Sequence, residues 1–177
     1  MSHHSHTHTH THLGGAMRVV GMLLLTLASV LLTASPHATA MTSTPFTADL
    51  SLQASFSPTT APGVFTVTTS GGGIAFHLGE VTASSTETLD FATAPGTTVV
   101  RDGRMVLVAA NGDELHWSYG GSASLPGPDG SAAISGSYTI TGGTGRFSDA
   151  AGSGTISGSA NGITGAVLLT YRGRVEY

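Results

Sequence analysis

Apolar and polar residues alternate along most of this chain. From Phe46 to Phe56 every second residue is apolar until Pro58 ends the run, which is the period-2 signature of a strand with one buried face. Residues 63–69 (GVFTVTT) predict a second strand, and Gly71-Gly72-Gly73 predicts a turn after it. Residues 74–91 predict one or two strands with Phe76 and Leu78 on one face, ended by the turn signal Pro95-Gly96. Residues 97–101 and 104–110 read as strands on either side of Asp102-Gly103. Asn111-Gly112 predicts a type I′ hairpin, because both residues tolerate positive φ. Residues 114–125 then place Leu115, Trp117 and Tyr119 on one face, with His116 and Ser118 on the other. The cluster Pro126-Gly127-Pro128-Asp129-Gly130 turns the chain again, and residues 132–141 carry Ile134, Gly136, Tyr138 and Ile140 on one face. Residues 152–160 and 165–177 supply the last strands. Eight to ten strands joined by short turns fit a closed up-and-down barrel or a sandwich. The frequent glycines favour the barrel, where tilted strands must bend.

The N-terminal forty residues do not join this pattern. Met17-Arg18 opens a short basic start, Val19 to Thr33 is largely apolar, and Ala38-Thr39-Ala40 offers a small-residue cleavage site. Residues 17–40 therefore read as a secretory signal peptide, too short for a comfortable membrane helix. This predicts a product exported to the periplasm or the extracellular space, with no membrane span after cleavage. Residues 1–16 hold histidines at 3, 4, 6, 8, 10 and 12. The tract reads as a metal-capturing segment, as an extension ahead of a true start at Met17, or as a leader lost with the signal. Under each reading the domain at 41–177 lacks it.

Composition narrows the chemistry of that domain. Its five basic residues are all arginines (101, 104, 146, 172 and 174), set against ten acidic ones for a net charge of −5, so a nucleic-acid partner is not expected. The chain has no lysine and no cysteine. Schiff-base and P-loop chemistry, thiol nucleophiles and thiolate metal sites are thereby excluded, and the fold must be held by its core and sheet hydrogen bonds. At 137 residues the domain is large enough for that, burying roughly two-thirds of its unfolded surface.

The stretch Ser137 to Gly158, SYTITGGTGRFSDAAGSGTISG, is the most distinctive. A strand meets the turn Gly142-Gly143-Thr144-Gly145, followed by Arg146 and Phe147. The glycines permit positive φ and close approach, Phe147 is expected to pack into one barrel end over Ala150, and Arg146 to cap carbonyls or pair with Asp149. A phosphate cradle is not supported, since no lysine and no clear helix follow. With VLVAANGDEL before it and LTYRGRVEY after it, this region resembles secreted bacterial proteins of the allene oxide cyclase-like and dirigent-like β-barrel group. The resemblance covers roughly the last seventy residues of the chain. It implies an all-β, calycin-like antiparallel barrel of about eight strands with a central cavity, open to homo-oligomer formation. It carries over no catalytic residue.

The candidate chemistry is sparse. Glu87 and Asp90, three apart on a strand, face opposite sides and cannot form a carboxylate pair. His77 and His116 each alternate with apolar neighbours and are expected to face outward; no third ligand accompanies them, so no metal site is expected in the mature chain and no cofactor is implied. No G-x-S-x-G elbow is present. Phe76, Trp117, Tyr119 and Tyr138 are the large residues expected inside the barrel, lining a cavity for a small apolar or aromatic molecule. A dirigent- or cyclase-like isomerase is the alternative, and it requires an ionisable group buried in the barrel. A solid structural barrel and a small outer-membrane barrel remain further readings.

Overall fold

A computed structural model describes residues 42–177; the His-rich segment and the segment expected to be a signal peptide lie outside the described residues. Eight antiparallel strands form the domain: β1 (Thr44–Pro58), β2 (Val64–Ala75), β3 (Gly79–Asp90), β4 (Thr97–Ala109), β5 (Glu114–Ser124), β6 (Ser131–Gly143), β7 (Ala151–Asn161) and β8 (Ala166–Glu176). Each pairs with its sequence neighbours, and β8 returns to β1 to close the barrel. Closure leaves no unpaired sheet edge.

The alternation sorts side chains as anticipated. Phe46, Ala48, Leu50, Leu52 and Ala54 of β1 are buried, while the residues between them are exposed. The outward rows are largely hydroxyl-bearing, and they meet across strands as Thr68–Thr86, Ser70–Ser84, Ser135–Ser157 and Ser137–Thr155. A lipid-facing barrel has the inverse arrangement, with an apolar band outside.

Four local expectations are corrected. Gly71-Gly72-Gly73 does not turn the chain: β2 runs through it, pairing Gly71 with Leu52 and Gly73 with Leu50. A Cβ on Gly73 would stand 2.0 Å from the Asp49 carbonyl oxygen, so the glycines let β2 coil tightly against β1. The turn falls instead at residues 76–78, with His77 at φ 72, so Phe76 and Leu78 are not strand residues. Asp102-Gly103 does not separate two strands either. It forms a bulge in the continuous β4, where the pairing jumps from Val100–Gly121 to Gly103–Tyr119. The bulge switches parity, so Thr98 and Val100 face inward before it and Gly103, Met105 and Leu107 after it. Finally, the hairpin at Asn111-Gly112 has only Gly112 in the left-handed region, and the Asn111 side chain accepts a hydrogen bond from the Asp113 N–H. That is not the type I′ geometry.

The barrel has two unlike ends. The β2–β3, β4–β5 and β6–β7 connections gather at one end, and the other four at the opposite end. The first end is solid. Phe147, on the 3-10 turn Gly145–Phe147, is fully buried there with Ala150 beside it in the core. Below the plug stands an aromatic cluster: Trp117 and Tyr171 have ring centroids 4.9 Å apart, Tyr138 and Tyr171 5.4 Å, and Phe46 and Trp117 6.0 Å.

Candidate functional site

The other end is open. Its cavity measures about 110 Å³, walled by Val67, Leu89, Val100, Ile134, Ile156 and Leu169, with Phe56 and Phe91 at the rim. These are the mouth-end residues of the inward rows, so the same alternation that builds the core builds the walls. The cavity persists because the inward row here uses small residues, including Ala54, Gly136 and Ala160. At the closed end the corresponding places are taken by aromatic rings.

The floor of the cavity is polar. Thr69 and Ser85 share a buried hydrogen bond of 2.7 Å. Beside them the Tyr119 hydroxyl donates to the Glu87 carboxylate. This contact spans three strands, from β5 across β4 to β3. Neighbouring strands lie about 4.8 Å apart, so Tyr119 must lie across the β4 backbone to reach Glu87. Gly103 makes that possible: a Cβ there would sit 2.5 Å from the Tyr119 ring. The β4 bulge sits at the same level. Asp102, within it, has φ 56, a region that non-glycine residues rarely occupy. Bulges next to functional sites commonly re-aim a side chain, and this one places the glycine under Tyr119.

Burial raises the Glu87 pKa above its ordinary value, and the hydrogen bond from Tyr119 opposes that rise in part. Burial and the Glu87 charge both push the Tyr119 hydroxyl upward. They act on Tyr171 in the same way, and burial pushes the Tyr138 hydroxyl up to about 12. Asp90 faces the other side of β3. Its carboxyl accepts hydrogen bonds from the Ala92 and Thr93 N–H groups and the Thr93 hydroxyl, with Arg101 3.0 Å away. Its pKa is lowered, chiefly by the Thr93 hydroxyl. The two carboxylates therefore serve separate places, as their spacing requires.

Of the four residues expected to line the cavity, only Tyr119 does so. Trp117 and Tyr138 are inside the barrel but in the solid half. Phe76 is outside, 54 % exposed on the β2–β3 turn, its ring tilted against that of His77 with centroids 4.1 Å apart. The turn residues Gly142, Gly143, Gly145, Arg146 and Phe147 lie together at the closed end, away from the cavity. Gly143 and Gly145 pack against the β4–β5 hairpin, where a Cβ on Gly145 would meet the Asp113 carboxylate at 1.9 Å. Arg146 does not pair with Asp149. It donates to the His77 carbonyl at 2.5 Å and faces Asp113 at 3.8 Å, because the glycine turn folds back onto that hairpin. His116 faces outward and bonds Glu114 at 2.7 Å. Among the described residues no group of three metal-ligating side chains occurs, and no helix is long and apolar enough to cross a membrane.

Glu87 is the site residue that sequence reasoning passed over. The signal was parity: within Gly79–Asp90 it shares the inward row with Val81, Ala83 and Ser85. Comparison with models of known protein families and with curated proteins finds no match to this chain.

Proposed function

We propose that this protein is a secreted β-barrel that binds a small apolar or aromatic molecule in the open-ended cavity. The observation that carries this reading is the division of the interior: one half is packed solid with aromatic side chains, and the other keeps an apolar-walled space about the size of a single ring. Selection for stability alone would favour filling it. Titration with toluene or indole, followed by methyl NMR, tests the proposal. Shifts are expected at Leu89, Ile134 and Ile156, and Ala160→Phe should abolish them. Absence of any shift up to the solubility limit would overturn the reading.

A second reading is a cyclase- or isomerase-like enzyme. It is favoured by Glu87, a half-buried ionisable group inside the barrel with a raised pKa, which suits a residue that gives and takes a proton. Its test is turnover of a strained or unsaturated cyclic substrate that Glu87→Gln eliminates while toluene still binds. Membership of the allene oxide cyclase-like or dirigent-like group is part of the proposal, supported by the glycine turn and the strand count. The outward hydroxyl rows weigh against an outer-membrane barrel, and the cavity against a wholly solid one.

A further inference from the structure

The floor of the cavity is rich in acceptors and lacks a positive charge. Glu87 receives one hydrogen bond, from Tyr119, whereas a carboxylate offers about four acceptor positions. The Thr69 and Ser85 hydroxyls are engaged with each other. The five arginines of 42–177 all work elsewhere. Arg101 is on Asp90, Arg146 on the closed-end turns, and Arg174 on Ser43; Arg104 and Arg172 are exposed on the outer face. Tyr119 and Tyr171, the titratable groups nearest Glu87, are neutral and uncharged through the physiological range, since burial raises both. The carboxyl therefore faces an apolar-walled space without a counter-charge from the described residues.

Resting on the proposed function, we infer that the cavity takes an amine: a single aromatic ring or short alkyl body bearing a protonated nitrogen, which Glu87 holds by a charge-assisted hydrogen bond. The space of about 110 Å³ admits one ring and little more, and the ring enters past Phe56 and Phe91. The nitrogen brings what the lining lacks, a positive charge; the Tyr171 hydroxyl, also in the lining, is a buried donor without a partner. A plain hydrocarbon enters without pairing the free carboxyl oxygen and therefore binds more weakly than the amine. An alcohol brings a single donor and no charge. A carboxylic acid in its ionised form would meet Glu87 as a like charge.

The experiment is a calorimetric titration of the intact barrel at neutral pH with four matched probes: benzylamine, benzyl alcohol, toluene and benzoate. Benzylamine is expected to bind at least about tenfold tighter than benzyl alcohol, the scale of one charge-assisted hydrogen bond, and benzoate weakest. In Glu87→Gln the advantage of benzylamine over benzyl alcohol should disappear. A cooperative thermal melt reports that the variant is folded. Equal binding of benzylamine and toluene by the wild-type protein would overturn the inference and leave the cavity reading standing. Survival of the benzylamine preference in Glu87→Gln would do the same. Failure of all four probes would overturn both.

Discussion

Replacing Gly103 with alanine probes the arrangement of the cavity floor at one atom. Gly103 does not have positive φ, so its backbone accepts alanine, and on chain entropy alone the change would stabilise by about 0.4–1 kcal/mol. The new Cβ would, however, stand 2.5 Å from Cδ2 and Cε2 and 2.6 Å from Cζ of Tyr119. The ring must leave its place over β4, and its hydrogen bond to Glu87 goes with it. Overpacking of this kind costs about 1–3 kcal/mol and the lost hydrogen bond about 1 kcal/mol more, for a net loss of about 2 kcal/mol after the entropic gain. For a domain of this size that lowers Tm by about 6–8 °C. The decisive comparison is a double-mutant cycle by denaturant unfolding. In a Tyr119→Ala background the same Gly103→Ala change should be neutral or stabilising, giving a coupling of about 2–3 kcal/mol. Equal destabilisation in both backgrounds would refute the claim that Gly103 is there to let Tyr119 cross to Glu87.

Three further outcomes follow from the same geometry. Because the folded-state pKa of Glu87 is raised, its contribution to stability is fully present below its ordinary value and is lost as pH rises through the folded value; thermal melts of wild type should show that decline, Glu87→Gln should lack it, and parallel curves would contradict the burial assigned to Glu87. Asp90 has the opposite sign: its lowered pKa gives stability that is present above its ordinary value and lost as pH falls through the folded one, so Asp90→Asn should flatten the acid limb of the same melts. Phe147 is fully buried in the closed end, so Phe147→Ala should cost about 3–5 kcal/mol in urea unfolding, and a cost under about 1 kcal/mol would mean that it does not plug the barrel.

The strands were legible in the sequence because a closed barrel with an apolar interior and a polar exterior imposes period 2 on nearly every element. The runs 46–56 and 132–141 carry that period intact. Failures came where a turn or a bulge interrupts what reads as regular strand. Reading residues 74–91 as strand through Phe76, His77 and Leu78 gives the even positions the inward face. Those three residues form the turn, and in β2 and β3 alike the odd positions face inward, Glu87 among them. The β4 bulge does reset the count, at Asp102-Gly103. Glycine was read chiefly as a maker of turns, yet Gly71, Gly73 and Gly103 lie within strands. There the missing side chain makes room for a neighbouring backbone or ring, and only the three-dimensional pairing reveals what fills it. The cavity itself depends on which inward positions are small at one end, a property of register that no single strand displays.

The account stands on the claim that the mouth half of the barrel is a ligand site and the other half is solid. A methyl NMR titration with toluene measures this directly. It predicts shifts at Leu89, Ile134, Ile156 and Leu169, which line the cavity, and none at Leu107, Leu115 or Val175, which are buried outside it. Uniform silence, or shifts centred on the closed end, would contradict it.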